Sequence, residues 1–326
     1  MYRPGTLKIG LLISTDQEGG IVTRLPSDEM ATFSGNMAIS AATLGLPKKR
    51  HKYDTYYAYN VGKALGQQLA YVNINTDNAP DVDVNVNAKN PVINVRSFSD
   101  DPKLVRRLGR TMVRGLQSVG IAATLKHFPG HGDTSTDSHT GLPHVDHSWK
   151  QAWKIDLYPF RHIINSKTPP DMLMTAHIQF PALDNSTIWA DKIKQNITVP
   201  ATLSFRIQNE LLRGNGKICN ATGSCHKELA FKGVSITDAL DMGAIADNFT
   251  QETAVIDAFK AGDDIALMPV SVSNPGDITK LNHLIDAVVD AVYQHELSEQ
   301  KIDASVLRIL MLKAKLGLLN SLASTK

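Results

Sequence analysis

The chain has 326 residues and a formal net charge of +2, from 34 basic and 32 acidic side chains spread along its whole length. That length can bury a substantial core, as one large α/β domain or two smaller ones. With no basic stripe or long charge block, the sequence argues against nucleic-acid and membrane-surface partners and for a small or uncharged ligand.

The opening segment MYRPGTLKIGLLISTDQ contains no signal-like apolar core. No later apolar run is long enough to span a bilayer, so no integral membrane association is expected. From there, short β-branched or apolar runs alternate with amphipathic stretches, the pattern of parallel βα units. Strands are predicted at 7–15, 79–86, 121–128, 172–177, 233–239 and 264–269. Several are apolar almost throughout, which suits strands covered on both faces.

Helices are predicted at 55–72, 102–120, 148–164, 278–294 and 303–319. The second starts at Asp101-Pro102, and Asp303 is the expected cap of the last. Neither a repeat nor a domain linker interrupts the chain, so 1–326 reads as one domain. Residues 213–228 form a polar insertion loop containing Cys219 and Cys225. Those cysteines either close a small disulfide loop, which implies an oxidising compartment, or remain two unpaired thiols. C-x5-C with only His226 beside it is a poor zinc signal.

The chemistry-bearing residues fall repeatedly at the C-terminal ends of these strands or in the loops that follow. Asp16 to Gly20, Arg96, Lys126-His127, His177 and Asp238 are all so placed. In a βα barrel that is the face on which active sites assemble. Asp238 closes an apolar strand, where a carboxylate must be hydrogen-bonded or functional to offset desolvation. Asp241 is a candidate cap for the next helix. Asp16 and Arg24 bracket an EGG turn, either as ligand acceptor and orienting partner or as a structural ion pair. Arg96 either donates to a ligand or ties down its own loop.

Lys126 and His127 end an apolar strand, and adjacent strand residues point to opposite faces. Both reach one ligand only where the strand ends or bends, and Pro129-Gly130 is the expected bend. In the glycine- and hydroxyl-rich loop beyond it, Asp137 can hold one nitrogen of His139 and leave the other for proton transfer. His131 and Asp133 can bind each other and shape the loop. The same HxxxHxD and DxH spacing is also compatible with a metal site. Lys126 beside His127 and the mobile composition of the loop count against that alternative.

The motifs DQEGGIVTRL, NPVINVRSF, KHFPGHGDTSTDSH, MTAHI, PATLS, FKGVSITDALDMGA and AGDDIALMP follow one another in an order that resembles glycoside hydrolase family 3, in its β-N-acetylhexosaminidase branch. The resemblance runs from about residue 8 to 320. It implies an α/β, TIM-type (β/α)8 barrel-like fold. Family members normally carry a further strand and helix before the DQEGG strand, so six strands are placed and the barrel is expected to lack its first β/α unit.

By position, the resemblance implies Asp238 as nucleophile, His139 as general acid/base and Asp137 as its partner. Asp16, Arg24, Arg96, Lys126 and His127 become sugar-binding residues. Beside these, His131, Asp133 and His177 are candidates for supporting the site on their position alone. No metal or other cofactor is implied. The implied activity is retaining exo-hydrolysis of terminal β-linked N-acetylglucosamine from chitin- or peptidoglycan-derived oligosaccharides. A metal-dependent hydrolase or deacetylase, and a noncatalytic sugar-binding or truncated form, are the alternatives. The cysteine-bearing insertion and TDALDM tilt the expected location towards the periplasm or exterior rather than the cytoplasm.

Overall fold

A computed structural model describes residues 8–46 and 54–320. In chain order the strands are β1 (Lys8–Ile9), β2 (Ser14–Thr15), β3 (Thr76–Asp77), β4 (Ala122–Phe128), β5 (Met172–Thr175), β6 (Thr187–Ala190), β7 (Gln195–Thr198), β8 (Lys217–Cys219), β9 (Cys225–Lys227), β10 (Val234–Thr237) and β11 (Leu319–Asn320). Five of them form a parallel sheet in the order β10-β5-β4-β3-β2, curled as half of a barrel. Three antiparallel pairs stand apart from it, β1 with β11, β6 with β7 and β8 with β9.

Every residue of β4 is buried, which accounts for its continuous apolar reading. Its outward residues Ala123 and Leu125 join a core with helices Tyr56–Tyr71, Pro102–Gln117 and Leu157–Ile164. The first two of these helices approach closely: a Cβ on Gly62 would lie 2.6 Å from the Met112 carbonyl oxygen, and one on Gly115 2.4 Å from that of Tyr59. On the other face of the sheet, Ala122, Met172, Met174, Val234 and Ile236 cluster with Leu312 of helix Glu299–Lys315. Asp264 fastens that helix, accepting from Ser305 and Arg308 as well as from Arg213.

Several predicted elements shift. The predicted 79–86 strand is replaced by the two residues of β3 upstream and an isolated bridge between Asp81 and Lys126. Pro80 has no N–H to give a ladder, and the Asp83 N–H bonds the Asp81 side chain instead. The 7–15 run splits around Ile13, whose N–H donates to the Asn75 side chain; residue 7 lies outside the described residues. The 264–269 run keeps one bridge, Ile265 to Ile236.

Helix 148–164 breaks into Trp149–Lys154, with a Ser148/Gln151 capping box, and Leu157–Ile164. Pro159, lacking an N–H, then falls in the first turn of the second piece, where no intrahelical donor is needed. Asp101 caps Pro102–Gln117 by accepting from the Lys103 N–H. Asp303 is not a cap: its helix starts at Glu299 after Ser298, a turn earlier than the hydrophobic periodicity suggests. Asp241 is not one either, since the short helix Gly243–Ala246 has Met242 in the capping position.

The two cysteines are joined. A Cys219–Cys225 disulfide closes the β8–β9 hairpin, so the 213–228 segment is an ordered ribbon rather than an irregular loop. His226 of the hairpin stacks on Trp153, with ring centroids 4.2 Å apart. Among the described residues, no helix is long and apolar enough to cross a membrane.

Candidate active site

The C-terminal ends of β2, β4 and β10 open onto a cavity of about 440 Å³. Asp16, Arg24, Arg96, Lys126, His127, His131, His139 and Asp238 all line it, with Glu18, Ser138 and Asp241. Val22, Val92, Met242, Leu267 and Met268 add apolar side chains to the lining. A lining that mixes charged and apolar groups suits a ligand carrying both hydroxyl groups and a hydrophobic face.

At the floor, the buried Lys126 ammonium lies 2.6 Å from Asp16 Oδ1 and 2.6 Å from Glu18 Oε1. Glu18 also receives a two-point contact from Arg96, Nε to Oε2 at 3.0 Å and Nη2 to Oε1 at 2.8 Å. Burial by itself would raise the Glu18 carboxyl, but Lys126 and Arg96 outweigh it and bring the pKa down to about 2. Lys126 loses from burial and gains more from Asp16 and Glu18, so it stays an ammonium. Asp16 is therefore partnered by Lys126. The expected Asp16–Arg24 pair does not form among the described residues; the Arg24 main chain is held by Gln17 instead.

Lys126 and His127 reach the same cavity because β4 shifts register against β5 between Leu125 and Phe128, ahead of the expected Pro129-Gly130 bend. The peptide between them is cis. His127 Nδ1 is 2.7 Å from Asp83 Oδ2, and Asp83 also accepts from the main-chain N–H of His127 and of His131. The other ring nitrogen of His127 lies 3.2 Å from Arg96 Nη2. Burial, with Arg96 adding to it, drives the His127 pKa well below its ordinary value, so it serves as a neutral ring.

Glu18 lies in the Asp16 to Gly20 stretch expected at a strand end but carries no predicted role there, and Asp83, inside the predicted 79–86 strand, is missed altogether. Asp81, Asp83 and His127 place one ligand atom each within 4.8 Å of one another, making them the group among the described residues with metal-compatible spacing. Asp83 Oδ2 and His127 Nδ1 in that group already bond each other.

The loop beyond β4 holds the expected Asp137–His139 pair. Asp137 Oδ1 accepts from the His139 main-chain N–H at 2.9 Å and lies 2.8 Å from its Nδ1. Nδ1–H donation to the carboxylate leaves Nε2 for proton exchange. The pair is open to solvent, with side-chain exposures of 64% for His139 and 36% for Asp137. His131 does not bind Asp133, contrary to expectation. Its Nδ1 is 2.6 Å from Thr134 Oγ1, while Asp133 turns to His147. The motif's histidines and aspartates thus take separate partners rather than converging on one point.

Asp238 follows β10, and its Oδ1 accepts from the Ala239 N–H at 2.8 Å. Burial opposes its ionisation, but the neighbouring His127 and His177 rings, the Ala239 N–H and the Lys126 ammonium together hold the carboxyl below the ordinary carboxylate value. His177 does not line the cavity. It braces the segment after β10, with Nε2 at 3.0 Å from the Ala239 carbonyl and Nδ1 at 2.9 Å from Thr202 Oγ1.

Residues 2–312 match the glycosyl hydrolase family 3 N terminal domain. The chain is 43% identical over 309 residues to β-hexosaminidase A of Pseudoalteromonas piscicida, covering 95% of this chain and 48% of that protein. It is 32% identical to a β-hexosaminidase of Mycobacterium tuberculosis, covering 93% and 68%. Among solved structures, a glycoside hydrolase family 3 β-N-acetylglucosaminidase from Paenibacillus sp. superposes with a TM-score of 0.80 at 38% identity, covering 98% of this chain and 52% of the other. The chain therefore spans about half the length of the Pseudoalteromonas relative.

Proposed function

The chain belongs to glycoside hydrolase family 3, and from that membership and the cavity we propose that it is a retaining exo-β-N-acetylglucosaminidase. Terminal β-linked N-acetylglucosamine of chitin- or peptidoglycan-derived oligosaccharides is its substrate. One observation carries the proposal: an ionised carboxylate, Asp238, and a carboxylate-oriented imidazole, His139, line the same cavity above a floor of paired charges.

The floor groups Asp16, Glu18, Arg96, Lys126 and His127 present charged and neutral hydrogen-bond partners to sugar hydroxyls. In the first step His139 Nε2–H gives its proton to the glycosidic oxygen. The C1–O bond to the leaving group breaks as an Asp238 oxygen bonds C1. In the second, the neutral imidazole takes a proton from water, whose oxygen attacks C1 and releases Asp238. One group serves both steps because the proton moves in opposite directions. Asp137 fixes the tautomer throughout and steadies the imidazolium. An exposed disulfide favours an oxidising compartment for the protein.

Turnover of a chromogenic β-N-acetylglucosaminide tests this. Wild type is expected to hydrolyse it with or without chelator, Asp238→Ala to be inactive, and His139→Ala to lose about 10²- to 10⁴-fold in kcat, the usual share of a general acid/base. Activity abolished by chelator, or undiminished in Asp238→Ala, contradicts the proposal.

A further inference from the structure

His147 lies outside the cavity, between the loop that carries Asp137 and His139 and helix Trp149–Lys154. Its two ring nitrogens face two carboxylates. Nδ1 is 2.7 Å from Asp156 Oδ2, and Nε2 is 3.3 Å from Asp133 Oδ2. Asp156 occupies the break between the two helices and is almost wholly buried, whereas Asp133 belongs to the loop. Burial raises the Asp156 carboxyl to about 6, so above that pH both carboxylates are acceptors; a neutral imidazole carries one N–H, and the two contacts are then satisfied together by the imidazolium. The hydrogen bond to Asp156, with the charges of Asp133 and Asp146 behind it, raises the His147 pKa and favours that form against the opposing effect of burial.

The surrounding geometry gives this clamp a purpose. At the loop base, Gly130 (φ +133°) packs on Asp156 so tightly that a Cβ there would lie 2.7 Å from the Asp156 Cβ. At the tip, the Ser138 and His139 carbonyls accept from the Ala244 and Gly243 N–H groups, just beyond Asp238. Between base and tip, the contact to His147 is the side-chain bond of Asp133 among the described residues. Asn87 and Asn90 also hold the loop's first turn, donating to the Thr134 and His131 carbonyls, and His131 Nε2 lies 3.4 Å from Ser138 Oγ, so Asp133 sits between this anchored turn and the exposed Asp137–His139 pair.

We propose that His147 is a positioning residue for proton transfer: clamped between Asp156 and Asp133, it fixes the loop that delivers His139 to the cavity. This rests on His139 being the acid/base. The clamp matters most where the leaving group needs a proton. A dinitrophenolate departs without one; an alkoxide does not.

The test compares His147→Ala and the near-isosteric Asp133→Asn with wild type on dinitrophenyl and methyl β-N-acetylglucosaminides, alongside amide hydrogen exchange of 131–141. Both variants are expected to lose about tenfold to a hundredfold in kcat/KM, which reports the first step, on the methyl glycoside relative to the dinitrophenyl one. KM on the methyl glycoside should hold, and exchange should quicken in 131–141 while 102–117 stays protected. Equal losses on both substrates overturn the positioning role, and so does unchanged exchange in the loop. Wild-type protein that turns over neither glycoside defeats the assignment of function instead, and the exchange result still decides whether His147 holds the loop.

Discussion

Lys126 shows how this fold keeps a charge where water cannot reach. A buried ammonium is costly unless paired and hydrogen-bonded, and here Asp16 and Glu18 both lie 2.6 Å from it. Glu18 in turn bridges Lys126 and Arg96, so the floor stands or falls as a unit. A Glu whose pKa is about 2 when folded, against 4.5 ordinarily, contributes stability that is complete above its unfolded value and lost as pH falls towards its folded one. The stability gap between wild type and Glu18→Gln should therefore be about 3 kcal/mol at neutral pH, from a shift worth 1.36 kcal/mol per pH unit. It should shrink between pH 4.5 and about 2. Urea titrations across that range check it; a gap independent of pH contradicts the pairing. The placement of Asp16, Lys126, His127 and Asp238 was legible in the sequence because each ends or follows an apolar strand. The roles of Glu18 and Asp83 were not, since the Glu18 partner Arg96 is 78 positions away and the Asp83 partner His127 lies inside a register shift, and neither leaves a local pattern.

Helices were more legible than strands, for a physical reason. An amphipathic helix writes its period over many residues, whereas these strands run to only two to seven and are set by neighbours. Asp81 and Asp83 alternate with valines as a strand does, yet their carboxylates bind main-chain N–H groups and end the ladder. Close packing leaves no such trace. Gly115 sits in mid-helix, where alanine gains about 1 kcal/mol in propensity. Its Cβ would meet Tyr59 and Lys63 backbone within 2.8 Å. Backbone cannot swing aside, and overpacking costs about 1–3 kcal/mol. Gly115→Ala should therefore lower stability in chemical denaturation despite the better helix former, and a stabilised variant contradicts the close approach. The β8–β9 hairpin has its own test. Its disulfide closes a short loop, worth on the order of 2 kcal/mol in chain entropy. Reduction, or Cys219→Ser with Cys225→Ser, should lower Tm and leave kcat unchanged, because neither cysteine lines the cavity.

At the scale of the molecule, the sheet's parallel order puts the ends of β2, β4 and β10 on one rim, and three segments distant in sequence meet there. The concave face below is filled by Leu312 and its neighbours, and Asp264 fixes the helix that carries them. Lys126 and His127 are thus held in β4 and Asp238 directly after β10, while His139, the proposed proton donor, rides on a loop. That division suits a reaction in which one carboxylate must hold still and one imidazole must serve two steps. The proposed mechanism passes through a covalent intermediate on Asp238. The most direct measurement is intact-protein and peptide mass spectrometry after incubation with a fluorinated β-glycoside that forms the glycosyl-enzyme quickly and releases it slowly. A single sugar adduct should appear on the peptide containing Asp238 and be absent from Asp238→Ala. An adduct on another residue, or turnover of the probe without any adduct, would contradict it.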